Sequence, residues 1–254
     1  MGKELLGNIE LNRIYQMDCL EGMKLIPNKS IDMILCDLPY GTTQCKWDTI
    51  IPFEQLWEQY NRVIKQNGAI VLTASQPFTT KLIESNIKYF KYCWYWNKVK
   101  PSNHLNAKKQ PMRLFEDVCV FYMSQPTYKP QMTQRDKPIK GRDYGTQETY
   151  GKTSGTYEKT YTQKYPDGHL VFNKENNTIH PTQKPVALFE YLIKTYTNEE
   201  EIILDNCMGS GTTAVACVLN NRKWIGFETD SKYIELANKR LEQIQLEDDL
   251  KIYK

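Results

Sequence analysis

Hydrophobic and polar positions along this chain alternate between two rhythms. Short, nearly continuous apolar runs read as strands buried on both faces of a sheet. They are "RIYQMD" (13–18), "IDMILCD" (31–37), "AIVLTAS" (69–75), "YCWYWNK" (92–98), "EDVCVFYM" (116–123), "EIILDN" (201–206) and "KWIGFE" (223–228). Between them fall longer segments with apolar residues three and four apart, which predict amphipathic helices. "FEQLWEQYNRVIKQNG" puts Phe53, Leu56, Trp57, Tyr60, Val63 and Ile64 on one face, with Gly68 as the expected stop. "PVALFEYLIKTY" does the same with Leu188, Phe189, Leu192, Ile193 and Tyr196, and "GTTAVACVLNN" predicts a helix after a glycine turn. A last helix, from about Ser231, turns Tyr233, Leu236, Ala237, Leu241 and Ile244 inward. Strands alternating with helices predict a doubly wound, mostly parallel α/β sheet covered on both faces. There is no internal repeat.

The rhythm lapses between residues 124 and 169. Ile139 is the only branched aliphatic residue there, and Thr, Gln, Gly, Lys and Tyr fill the stretch. Such a segment buries too little apolar surface to offset the entropy of ordering it. A long irregular insertion in a compact domain is usually functional. The expected organisation is one domain in two halves, 1–123 and 180–254, around an insert at 124–179.

Composition then narrows the class. With 254 residues, 40% hydrophobic and 25% charged, the chain can build one large α/β domain. A net charge of +3 is too small to establish an acidic partner. Seven cysteines occur without a C-x-x-C pair, and Cys36, Cys93, Cys119 and Cys207 sit in or beside apolar runs. They are expected to be small core hydrophobes in a reducing, cytoplasmic setting rather than a disulfide framework. The start, "MGKELLGNIELN", has no apolar signal core, and no run reaches membrane-spanning length, so no membrane partner is expected. No His/Cys spacing suggests a metal.

Two stretches carry chemistry. In "EIILDNCMGSGTTAV" a strand ends at Asp205, passes Gly209-Ser210-Gly211 and opens a helix at Thr212. Glycines at such a turn let a ligand approach the backbone. Roughly twenty residues on, the next strand ends at Glu228, an acid suited to ribose hydroxyls. The pair reads as a site for an adenosine-containing cofactor; a nicotinamide site is the alternative, although the full G-x-G-x-x-G run is missing. In "IDMILCDLPYG" a core strand ends on Asp37-Leu38-Pro39-Tyr40. A carboxylate beside a proline-fixed carbonyl offers two acceptors, which match the two N–H donors of an exocyclic amine. Tyr40 adds a flat surface for a base. The plainer reading is a proline turn with a solvated Asp and a core Tyr.

Together "DLPYG" and "DNCMGSGTT" resemble the S-adenosylmethionine-dependent DNA amino-methyltransferases. The order of motifs, circularly permuted with the catalytic tetrapeptide first and the cofactor motif near the carboxyl end, is similar to their β class. "HPTQKP" (180–185) resembles the family's methionine-binding motif, and "WNKVKPSNHLNAKKQPMRLFEDVCVF" has the look of phage and bacterial members. The resemblance covers nearly the whole chain apart from 124–169. It implies a Rossmann-like methyltransferase fold with a target-recognition insert. It also implies S-adenosylmethionine as cofactor, double-stranded DNA as partner, and methylation of a flipped-out base. Asp37, Leu38, Pro39 and Tyr40 would hold the base; Leu38 stands where the family usually has a second proline. Asp18 would lie near the cofactor's adenine, Glu228 at its ribose and Lys184 near its methionine carboxylate. Asp205, Gly209, Ser210, Gly211 and Thr212 would form the cofactor turn, with Asn206-Cys207-Met208 departing from the usual Pro-Phe that follows the acid. Lys98, Lys100, Lys108, Lys109 and Arg113 could neutralise phosphates or simply form a solvated face. An Asp start to the tetrapeptide leans to adenine N6 over cytosine N4. Methylation of RNA or a protein amide, and a catalytically dead DNA-binding protein, are the weaker alternatives. The absence of a Pro-Cys dipeptide removes the usual cytosine-carbon nucleophile. Monomer or homodimer, and a partner restriction enzyme, are left open.

Overall fold

The computed structural model describes residues 3–45, 47–141, 146–147, 151–152, 160–175 and 183–252, without the side chains of 146–147, 151–152, 245 and 247–252. The chain divides into two compact units, Met1–Lys129 with Gly168–Lys254, and Pro130–Asp167.

The larger unit opens with a short hairpin, β1 (Leu5–Leu6) and β2 (Ile9–Glu10). Then follow β3 (Arg13–Gln16), α1 (Cys19–Lys24), β4 (Ile31–Asp37), α2 (Phe53–Val63), β5 (Ile64–Ala74), α3 (Phe78–Ser85), β6 (Phe90–Ser102) and β7 (Arg113–Phe121). The smaller unit holds β8 (Thr133–Lys140), β9 (Thr146–Gln147), β10 (Gly151–Lys152) and β11 (Thr160–Lys164). The chain returns through β12 (His169–Val171), α4 (Val186–Tyr196), β13 (Ile202–Asp205), α5 (Thr212–Val218), β14 (Lys223–Glu228) and α6 (Ser231–Ile252).

Eight strands form one sheet in the order β12-β6-β7-β5-β4-β13-β14-β3. β7 runs antiparallel to both of its neighbours, and every other pairing is parallel. Alternate residues of the central strands serve opposite faces, as the period of two requires. Met33, Leu35, Ala69, Val71, Val118 and Val120 pack with α4, α5 and α6. Ile34, Cys36, Ile70, Leu72, Cys119 and Phe121 pack with α1, α2 and α3. Burial on both faces is why these strands read as continuous apolar runs. Each large side chain so buried contributes about 1.5–3 kcal/mol. The expected doubly wound, mostly parallel sheet is the observed one. No helix among the described residues is long and apolar enough to cross a membrane.

Three expectations need correction. The second helix ends at Val63, not at Gly68: Ile64 is already extended and pairs with Ile31 of β4. The residues of "IKQNG" continue the helical pattern, but strand pairing outweighs a local periodicity. Gly68 instead lies inside β5, where a Cβ would meet Asp32 O at 2.8 Å and the Ile64 side chain at 2.7 Å. It admits a close approach of β4 beside an irregularity in that pairing. Second, the insert is narrower than 124–179. His169–Val171 pairs parallel with β6 and extends the main sheet. Third, the insert is not devoid of regular structure. Among its described residues β8 pairs antiparallel with β11, and β9 with β10. Thr and Tyr favour strands, and ladder hydrogen bonds need no aliphatic side chains. Helices α1 and α3 did not stand out in the sequence because each is short.

Candidate active site

The site forms at the carboxyl ends of the central parallel strands, where open α/β sheets bind ligands. β4 delivers Asp37 there, and the register of β5 sets Thr73 beside it. The Thr73 hydroxyl and the Tyr40 hydroxyl (2.8 Å) both donate to Asp37 Oδ1. Leu38 turns inward and is buried, anchoring the turn. Asp48 holds the loop that follows. Its carboxylate accepts the N–H groups of Gly41 at 2.8 Å, Thr42 at 2.8 Å and Thr43 at 2.7 Å. Burial pushes the Asp48 carboxyl up, but these hydrogen bonds outweigh it and hold the group below the usual carboxylate range.

The second oxygen of Asp37 meets a lysine. Lys184 Nζ donates to Asp37 Oδ2 at 2.6 Å and lies 3.6 Å from Glu116 Oε2. Glu116 Oε1 accepts from Lys98 Nζ at 3.0 Å, and Lys98 also donates to Ser102 Oγ at 2.9 Å. Two carboxylates and two ammonium groups thus alternate in a largely buried row. Burial opposes the charge on Lys184, yet Asp37 and Glu116 outweigh it and hold the ammonium above the ordinary lysine range. Burial likewise pushes Glu116 up, and Lys184 and Lys98 more than reverse it, leaving the carboxyl below its usual range. The Tyr40 ring stacks on Phe78 at 5.1 Å and 24°, and Lys184 Nζ stands 5.4 Å from its centroid.

On the neighbouring strands the chain builds a turn. β13 ends at Asp205, whose oxygens accept from Cys207 N (3.0 Å) and from the Thr213 hydroxyl. Burial pushes this carboxyl up to about 6, against the pull of those hydrogen bonds. Gly209 and Gly211 take φ of +50° and +79°. At Gly211 a Cβ would meet Ala237 Cβ of α6 at 2.8 Å, whereas at Gly209 nothing lies nearer than 3.9 Å. Gly211 therefore serves helix packing, and Gly209 leaves open space. Glu228, at the end of β14, clamps the turn: it accepts from Gly209 N at 2.8 Å, Thr229 N at 2.8 Å and Asp230 N at 2.9 Å.

One cavity of 680 Å³ joins both halves, and its wall includes Asp18, Asp37 to Tyr40, Lys184, Asp205, Gly209, Ser210, Thr212 and Glu228. That size suits a nucleoside-bearing cofactor together with a base. The donor and acceptor set fits S-adenosylmethionine: the open approach at Gly209, acids at Asp18 and Glu228, and the nearby Tyr233 ring. Asp18 also caps α1, accepting from Leu20 N and Glu21 N.

Sequence reading needs correction at one of these residues, and the partners of two others depend on the fold. Lys98 is not part of a phosphate-binding surface. It is 1% exposed, and its charge is spent on Glu116 inside the protein. Arg113 lines the cavity and is exposed, as are Lys108 and Lys109 beyond the 3-10 turn His104–Asn106. Lys184 faces Asp37 rather than the cofactor turn, to which its carbonyl is tied by Thr212 Oγ1 at 3.3 Å. Asp205 directs its oxygens to Cys207 N of the turn and to Thr213 in the first turn of α5. His180, Pro181 and Thr182 of "HPTQKP" lie outside the described residues. Thr73, Glu116 and Asp48 were missed. The signal for Thr73 and Glu116 was a polar residue within or at the edge of an apolar run. The buried thiol of Cys36 is pushed up to about 12 by burial, which suits a core residue rather than a nucleophile.

The geometry can be compared with known proteins. The family described as DNA methylase, the N6/N4 methyltransferases, matches residues 31–239. The DNA adenine methyltransferase YhdJ of Escherichia coli K12 is 28% identical over 260 residues, 92% of this chain and 83% of that protein. The crystal structure of the M1.HpyAVI–SAM complex superposes with a TM-score of 0.63 at 25% identity, covering 90% of this chain and 98% of that one. The cytosine-N4-specific PvuII DNA methyltransferase shares the fold, with a TM-score of 0.65 at 15% identity over 89% of this chain and 84% of that one. An aspartate-led turn at the cavity wall, a glycine turn beside it and a family match over most of the chain lead to one conclusion: this protein belongs to the N6/N4 DNA methylase family and is an S-adenosylmethionine-dependent DNA amino-methyltransferase.

Proposed function

We propose that the enzyme methylates the N6 amino group of adenine at a specific site in double-stranded DNA. The observation that carries this reading is the fixed carboxylate of Asp37 at the cavity wall, followed by Leu38, Pro39 and the Tyr40 ring. An aromatic amine is a poor nucleophile because its lone pair is shared with the ring. Acceptors for both of its N–H groups, Asp37 and the Leu38 carbonyl, draw the nitrogen toward tetrahedral geometry and free that lone pair. S-adenosylmethionine supplies an electrophilic methyl. Gly209, Ser210, Asp18 and Glu228 would hold it, and the socket holds the amine in line, where positioning provides much of the rate. A base inside a duplex cannot reach such a cavity, so it must leave the stack. Lys108, Lys109 and Arg113 would neutralise backbone phosphates. The Lys-, Arg-, Gln- and Tyr-rich segment within 124–179 would read base edges. An aspartate at the head of the tetrapeptide, and the adenine named for YhdJ, favour adenine over cytosine.

The experiment is modified-base sequencing of DNA from cells that express the protein. N6-methyladenine at one recurring sequence is expected; N4-methylcytosine there would overturn the choice of base. Replacing 130–167 with a short linker should abolish site-specific methylation and leave cofactor binding intact. Methylation at unchanged sites would remove that segment from recognition.

A further inference from the structure

We infer that Lys184 is a stand-in for the amino group of the target base, and that Glu116 receives it when the base enters. The inference rests on the reading of Asp37 as acceptor for that amine. Thr73 and Tyr40 both bind Oδ1 of Asp37, so Oδ2 is the oxygen left for an incoming N–H donor. Lys184 Nζ holds it, at 2.6 Å. The ammonium also takes the place of the ring. Phe78 stacks on Tyr40, and Lys184 Nζ stands over the same ring, 5.4 Å from its centroid, where it competes with a base for the aromatic surface. A cation over an aromatic face is itself attractive, which makes the stand-in a stable one.

The exit is already built. Glu116 Oε2 is buried without a hydrogen-bond partner, while Oε1 is taken by Lys98. Oε2 lies 3.6 Å from Lys184 Nζ, so a shift of less than about 1 Å makes a hydrogen bond. A buried charge whose partner is removed is strongly destabilised. Exchange from Asp37 to Glu116 avoids this, because the ammonium is paired in both positions. It also keeps Asp37 satisfied between turnovers. Thr212 Oγ1 holds the Lys184 carbonyl, which confines the movement to the side chain. Glu116 is then a positioning residue: it acts on the amine only through Lys184.

The test compares two duplexes carrying the mapped site, one with adenine at the target and one with 2-aminopurine, which lacks the 6-amino group. Affinities are measured with S-adenosylhomocysteine bound. Glu116→Gln should lower the preference for adenine by roughly tenfold or more, as loss of a charge-assisted hydrogen bond implies, and leave the 2-aminopurine duplex unaffected. Lys184→Met should raise the preference for adenine, since nothing then competes for Asp37 Oδ2. In the Lys184→Met background, Glu116→Gln should have no further effect. Thermal midpoints and S-adenosylhomocysteine affinity report folding separately, and Lys184→Met decides alone if Glu116→Gln does not fold. Equal weakening of both duplexes by Glu116→Gln, or an unchanged preference in Lys184→Met, would overturn the inference. If mapping returns methylcytosine, the same comparison uses cytosine and 2-pyrimidinone. DNA left unmethylated by the wild-type enzyme would instead count against the function proposed above.

Discussion

Two adjoining strands of the sheet each end on an aspartate, and the two residues do different work. Leu204 of β13 lies opposite Ile34 of β4, so Asp205 is level with Leu35 and Asp37 projects two residues further. Asp205 is buried, with its oxygens turned to Cys207 N of the turn and to Thr213 in the first turn of α5. Asp37 reaches the cavity, and besides Tyr40 of its own turn its partners are Thr73 of β5 and Lys184 just ahead of α4. The lesson is that side-chain type and sheet position are not enough. Two residues of extra strand, and a proline in place of a glycine turn, separate a carboxylate paired with Lys184 at the cavity wall from one held by the turn and helix that follow it.

The sharpest way to break the comparison is to remove both acids and ask what each loses. Asp37→Ala should cut single-turnover methyl transfer by roughly 10²–10³ or more, by analogy with deleting one preorganised hydrogen-bond partner. Cofactor affinity should hold, and Asp37→Asn should be milder because an amide oxygen still accepts. Full activity in Asp37→Ala would dissolve the distinction. For Asp205 the expected effect is on stability, and it has a sign. Its native carboxyl titrates at about 6 against an ordinary value of 3.8, so between these pH values the native state keeps a proton that the unfolded chain has released. Stability attributable to this group therefore falls as pH rises from about 4 to 6, by on the order of 2–3 kcal/mol, and is level above that. Thermal midpoints of Asp205→Asn across this range should lack that fall; an identical slope in both proteins would place the proton elsewhere.

Smaller effects sharpen the cofactor side. Glu228→Ala removes the acceptor for three backbone N–H groups and for any ribose hydroxyl. It should weaken S-adenosylmethionine binding by about 1–3 kcal/mol by calorimetry. Unchanged affinity in a folded variant would leave Glu228 a loop clamp only. The two glycines should also differ. Gly209→Ala meets backbone strain alone and should lower stability by about 1–2 kcal/mol, whereas Gly211→Ala adds the contact with Ala237 and should cost more. Equal midpoints in chemical denaturation would contradict that ordering.

The sequence by itself determined whatever a single segment encodes. Apolar runs marked the strands because parallel strands are buried on both faces, and the helical stripe of α4 was legible because burial repeats every turn. Asp37-Leu38-Pro39-Tyr40 and Gly209-Ser210-Gly211 were legible as well, since each needs specific residue types in succession. Tertiary structure decided what depends on register. Whether Ile64 continues a helix or starts β5 is set by pairing with Ile31, and local pattern carries no trace of it. Whether 169–171 belongs to the insert is set by an open sheet edge at β6. The charges depend most on tertiary structure. Lys98 meets Glu116 across 18 residues and Lys184 meets Asp37 across 147, so a lysine that reads as solvated ends inside the protein. A charge is assigned its role by the nearest opposite charge in a low-dielectric site, and only the folded sheet brings those partners within reach.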